Sequence, residues 1–141
     1  MQFFFQNKNK TDGSLADAIS KACEGLTYTS ETDAPMTFFC GQSADEITSE
    51  IILQQAGHAP NTPAEEVAFD AFFERLTEIK DWYGDAEKAR AKKFSELRGL
   101  LEENLQDRKV LRAGSIQMDI FAVGRDKDGL VMGVMTKAVE T

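Results

Sequence analysis

The chain has 141 residues, 42% of them hydrophobic, enough for one hydrophobic core in a single domain and too many for a disordered chain. Its 24 acids against 16 bases leave a formal charge of −8, which argues against direct nucleic-acid binding because such proteins need a basic footprint. No apolar run approaches the roughly 20 residues of a membrane span, and the opening lacks the basic start of an export signal, so the expected location is the cytoplasm.

Residues 1–13 read as a flexible, turn-rich extension, and residues 14–141 as the single domain. Ser14 offers a helix N-cap. Leu15, Ala18, Ile19, Ala22, Cys23 and Leu26 then form a helical stripe that Gly25 stops. Thr27 to Pro35 reads as a polar loop. Met36 to Cys40 is short, aromatic and closed by glycine, as a strand would be. Ser43-Ala44-Asp45-Glu46 resembles a capping box, which predicts a helix running through Ile47, Ile51 and Ile52 to Gln55.

After a loop around His58, Val67–Leu76 is a shorter helix with Phe69, Phe72, Phe73 and Leu76 inward. Asp81-Trp82-Tyr83-Gly84 is a turn, and Asp85 is the expected N-cap of the longest helix. Ala86, Ala89, Phe94, Leu97, Leu101 and Leu105 mark that helix's buried side. Three strands follow over Lys109–Ala113, Ser115–Arg125 and Leu130–Val139, with Asp126-Lys127-Asp128-Gly129 as a hairpin turn. The last strand is apolar on both faces: Leu130, Met132 and Val134 on one, Val131, Met135 and Val139 on the other. A strand buried on both faces needs a layer on each side. The fold class is therefore α+β, a three-layer α/β/α sandwich around a largely antiparallel sheet of about four strands.

Charge is unevenly spread. Between Lys21 and Arg75 there is no Lys or Arg, but there are ten acids, among them Glu31, Glu50, Glu65, Glu66 and Asp70. Such a stretch suits a basic partner surface, although an ordinary solvated acidic face accounts for it equally. Catalytic constellations are missing: no GxSxG, P-loop or GxGxxG occurs. His58 is the lone histidine. Glu50 could orient it as a general base, which leaves a small hydrolase as an unfavoured alternative. Cys23 and Cys40 read as small buried apolar residues, with neither a CxxC nor a Cys/His cluster to hold zinc. No cofactor is expected.

Two features ask for a role. Trp82, the only tryptophan, sits in a polar turn, where it either caps the core edge or anchors a partner. The last strand carries its pattern to Val139, so Glu140 and Thr141 are held by it. A terminal carboxylate beside a threonine hydroxyl is a pair of hard oxygen ligands, suited to Mg²⁺ or Ca²⁺.

The segments Glu50 to His58, Asp81-Trp82-Tyr83 and Thr136 to Thr141, with Gly25-Leu26, Ser30-Glu31 and Asp119-Ile120-Phe121, resemble those of the nuclease A inhibitor family in order and spacing. The resemblance runs from about Leu15 to Thr141. It implies a bacterial protein that is no enzyme but blocks a Mg²⁺-dependent, sugar-nonspecific DNA/RNA endonuclease of the ββα-metal class. It places the inhibitory surface on Glu31, Asp81, Trp82 and Thr141, with Glu140 beside Thr141 at the same end. Thr141 would touch metal only as a ligand to the nuclease's own ion. Ala34, before Pro35, stands where the family pattern has an aromatic residue. A non-catalytic interaction module of the same fold, serving another partner, is the alternative from a different class.

Overall fold

A computed structural model describes residues 14–141, so the extension read over residues 1–13 lies outside the described residues. Residues 14–23 form α1, with Ser14 already in the helix. Ile19, Cys23 and Leu26 are buried, and Gly25 turns the chain away with φ +71°. That left-handed backbone suits glycine, which carries no Cβ to clash.

The segment expected to be a polar loop is a small antiparallel ribbon. β1 (Thr27–Thr29) pairs β2 (Asp33–Pro35), with Tyr28 opposite Ala34. β3 (Thr37–Ser43) follows and runs farther than its aromatic core suggests. Ser43 pairs Leu130, and the Ala44 amide donates to the Gly129 carbonyl at 3.0 Å. Ser43 is thus engaged by the sheet and caps no helix. The helix α2 (Ser49–Gln55) starts later, at Thr48, whose side-chain oxygen accepts the Ile51 amide at 3.1 Å. Gln55, at its end, reaches back to accept the Gln42 amide at 2.9 Å, which seats α2 on β3.

β4 (Ala64–Val67) precedes α3 (Phe69–Thr77), and α4 spans Asp85–Asn104. Gly84, not Asp85, is the N-cap of α4. Its amide donates to the Glu87 carboxylate at 3.1 Å, and Asp85 lies in the first turn, where acids complement the helix dipole. β5 (Gln106–Gly114), β6 (Gln117–Arg125) and β7 (Leu130–Val139) complete the chain. The β6–β7 hairpin turns where expected. Asp126, 6% exposed, accepts the amides of Asp128 and Leu130 at 2.8 and 2.9 Å, and Gly129 takes φ +84°.

The main sheet is antiparallel in the order β3-β7-β6-β5-β4. It has five strands rather than four, the addition being β4. This edge strand reads Ala-Glu-Glu-Val, with three of its four residues exposed, so no apolar alternation marks it. Its pairing with β5 holds it, helped by Glu66–Lys109 and Glu65–Arg112 ion pairs at 3.4 and 3.7 Å.

The sandwich has the expected three layers. α1, α3 and α4 cover one face, where Phe73, Phe94, Leu97 and Leu101 meet Val110, Ile120, Met132 and Val134. α2 covers the other, where Ile52 and Leu53 meet Leu111, Phe121, Val123 and Val131. β7 feeds both cores: Met132 and Val134 enter one, Val131 the other. Between them Gly133 lies opposite Phe39 and Val123, so close to the Ala122 carbonyl that a Cβ would collide with it. No helix among the described residues is long and apolar enough to cross a membrane.

Candidate functional site

Because β4 to β7 alternate in direction, the start of β4, the end of β5, the start of β6 and the end of β7 all meet at one end of the sheet. Ala64 pairs Ala113, Gly114 pairs Met118, and Gln117 pairs Val139. The turn between β1 and β2 joins the same end. Ser30 Oγ accepts the Val139 amide at 3.1 Å, and the Glu31 amide donates to the Val139 carbonyl at 3.2 Å. Ser30-Glu31 therefore flanks the last residues of β7 as a neighbouring strand would.

The chain beyond Val139 is held from two sides. On one, the Glu31 carboxylate accepts the Thr141 amide at 2.6 Å and the Thr141 hydroxyl at 3.0 and 3.2 Å. On the other, the Glu140 amide donates to the Ile116 carbonyl at 2.9 Å, in the turn between β5 and β6. The Glu140 carboxylate accepts a short hydrogen bond from Arg112 on β5. That bond from Arg112 holds the Glu140 carboxyl below its ordinary range and, reciprocally, raises the Arg112 guanidinium. Glu31, Glu140 and Thr141 are thus assembled, whereas the separation of Glu31 and Thr141 in sequence hides it.

Asp81 and Trp82 lie in the connection between α3 and α4, and both are exposed, Trp82 by 74%. Trp82 is no cap on the core. The Tyr83 amide donates to the Lys80 carbonyl at 3.0 Å, closing a turn that turns the indole outward. Lys80 Nζ lies 5.1 Å from the indole centroid, and the Tyr83 ring meets the indole edge-on at 5.9 Å. Lys80, Arg75, Tyr28, Glu65 and Arg112 line one shallow concavity; Glu65, Arg112, Glu140 and Thr141 line a second. Glu65 and Arg112 line both, so Lys80, from the tryptophan turn, and Thr141 border adjoining concavities.

Three residues here escape a reading of the sequence. Arg112 is one of 16 bases, Ile116 falls within the strand expected over Ser115–Arg125, and Ile79 stands between Glu78 and Lys80. Ile79, Trp82 and Ile116 are the exposed large hydrophobics among the described residues, and all three lie at this end. Their isolation between polar neighbours in sequence was the only signal.

His58 has a carboxylate partner, but it is Asp119 on β6 and not Glu50, which is exposed on α2. Nε2 of His58 lies 2.8 Å from Asp119 Oδ2, and Lys137 Nζ donates to Oδ1 at 2.8 Å. Burial works to raise the Asp119 carboxyl, but hydrogen bonds from Lys137 and His58 outweigh it and hold the group below its ordinary value. The His58 ring also meets Phe121 edge-on at 6.1 Å. This cluster ties the loop after α2 to the sheet.

The cysteines differ from expectation in one respect. Cys23 is buried, and burial pushes its thiol up to about 11, but Cys40 is exposed. Among the described residues no group of three or more His, Cys, Asp or Glu side chains is placed to hold a metal ion. Of the ten acids in the stretch without Lys or Arg, Glu65, Glu66 and Asp70 are paired with Arg112, Lys109 and Arg98.

A family model described as nuclease A inhibitor-like protein matches residues 13–141. No curated protein matches the chain.

Proposed function

This chain belongs to the nuclease A inhibitor-like protein family, and from that premise we propose that it binds and blocks the active site of a Mg²⁺-dependent, sugar-nonspecific endonuclease of the ββα-metal class. The partner-binding residues are Glu31, Asp81, Trp82, Glu140 and Thr141. It acts in the bacterial cytoplasm as an inhibitor rather than an enzyme, and it needs no cofactor of its own.

The observation that supports this reading best is the state of Thr141. Its amide and hydroxyl both donate to the Glu31 carboxylate, so Thr141 has partners within the protein itself. A hydroxyl that donates its proton keeps its lone pairs, and donation to a carboxylate enriches the oxygen in electron density. Together with the Thr141 carboxylate it presents hard oxygens, the ligand type that Mg²⁺ takes. A nuclease ion must keep a coordination position open for phosphate, and Thr141 would occupy that position. Trp82 supplies the flanking apolar anchor, exposed and therefore available without unfolding.

The test is to titrate the protein into a metal-loaded endonuclease of this class from the source cell, following cleavage of both DNA and RNA. Saturable loss of both activities at one-to-one stoichiometry is expected. Tight binding that leaves cleavage intact would replace the inhibitor with a non-catalytic interaction module.

A further inference from the structure

Glu140 carries a charge next to the proposed contact residue, and its carboxylate, though on the surface, is engaged within the protein. It accepts from Arg112 Nη2, while its amide donates to Ile116. Arg112 is well placed to hold it. Its side chain is 17% exposed, pinned by β5, and its guanidinium also meets Glu65 at 3.7 Å and the Met118 sulfur at 3.6 Å. Glu140 side chain and Arg112 lie on the same face of the sheet as α3 and α4, since Val110 and Ala138 two residues before each enter that core. Thr141, the next residue, meets Glu31 from the turn on the far flank of β7.

We infer that Arg112 is a positioning residue: by fixing the Glu140 carboxylate it sets the direction in which the chain leaves β7, and so delivers Thr141 to Glu31. The inference rests on the inhibitor reading for its purpose but not for its geometry. Two backbone groups of this segment, the amides of Glu140 and Thr141, have their partners only if the chain keeps this course. A freely rotating end would lose both, and a partner that uses Thr141 would then have to order it on binding, at an entropic cost. Glu140 thus also acts within the protein, and part of its contribution to binding runs through Thr141.

Hydrogen exchange at the Thr141 amide reads the positioning directly in the free protein. Arg112→Gln and Glu140→Ala should each speed Thr141 exchange by about threefold to tenfold, the range for a partly exposed, charge-assisted pair. Exchange in the middle of β6, at Phe121 and Ala122, should stay unchanged. The double variant should be no worse than either single one, as expected when two side chains act through one interaction. Glu140 is a surface residue, so its variant tests the idea even where loss of Arg112 disturbs the fold. Inhibition of the metal-loaded nuclease should weaken in step with the loss of Thr141 protection. Unchanged Thr141 exchange in Glu140→Ala, or additive losses in the double variant, overturns the role of Arg112 whatever the nuclease does. Failure of the wild-type chain to inhibit overturns the inhibitor reading whatever the amide does.

Discussion

Nε2 of His58 lies 2.8 Å from Oδ2 of Asp119, joining the loop after α2 to the third strand of the five-stranded sheet. Lys137 takes the other oxygen of the same carboxylate, so the ionised form of Asp119 is the one the fold uses. Its folded value is lowered. Stability from this group is therefore present above the unfolded value, about 4 for an aspartate, and is lost as the pH falls through the lower folded value. Glu140, lowered by its Arg112 bond, acts in the same direction in the same acid range. Thermal melts of the wild type should fall below about pH 4 more steeply than those of Asp119→Asn. At neutral pH that variant should be about 1 kcal/mol less stable, discounted for partial exposure. Parallel acid limbs for the two proteins would show that the cluster contributes nothing to the pH dependence.

Trp82 reports on its own environment, because there is no other tryptophan. Free protein should emit as a solvated indole and shift to the blue on binding the nuclease. Trp82→Ala should cost about 2 kcal/mol or more of affinity and leave the melting temperature nearly unchanged, since the ring is exposed. Unfolding of that variant would contradict the exposure.

Residues added after Thr141 should weaken inhibition far more than the same residues added before Met1. They convert the carboxylate to an amide and block the approach of the hydroxyl. Deleting Thr141 should weaken binding too, and less so when the nuclease has been stripped of its metal. Glu31→Ala should weaken binding by about 1–3 kcal/mol, and most of that loss should vanish in a chain already lacking Thr141, because the two residues act as a unit. Equal inhibition constants with and without the C-terminal extension would remove Thr141 from the surface.

Association should slow as salt rises, because ions screen charges beyond about 8–10 Å at ordinary ionic strength. The slope should be gentler than ten unpaired acids would give, since Glu65, Glu66 and Asp70 already face bases within the protein. Neutralising these three should change the on-rate less than neutralising Asp33, Asp45 and Glu46. The reverse ranking in stopped-flow measurements would place the docking field elsewhere.

The layers of this fold were legible because each long element repeats its signal. The stripe from Leu15 to Leu26, the two apolar faces of β7 and the Asp126–Gly129 turn all speak locally. β4 was not legible, because an edge strand of Ala-Glu-Glu-Val is half solvated and its pairing is with β5, more than forty residues later. The capping motif at Ser43 lost to a strand pairing that only Leu130 and Gly129 reveal. In the site, Trp82 and Thr141 stood out as residue types in unusual places. The bond from Thr141 to Glu31 and that from Arg112 to Glu140 span 110 and 28 residues. Nothing in local spacing encodes which acid meets which donor. Asp119 shows the same, having displaced the nearer Glu50 as the partner of His58.

β7 lies between β3 and β6, and its ladder with β6 runs unbroken from Val131 opposite Arg125 to Val139 opposite Gln117. A pull on Thr141 along the strand axis therefore does not peel the strand away bond by bond. It loads the bonds to both neighbours in shear, all at once, and those bonds sit between two packed cores. A partner that grips the threonine grips the centre of the molecule. Local fraying gives it no slow route of escape, and the grip should end by letting go of the threonine rather than by drawing out the strand.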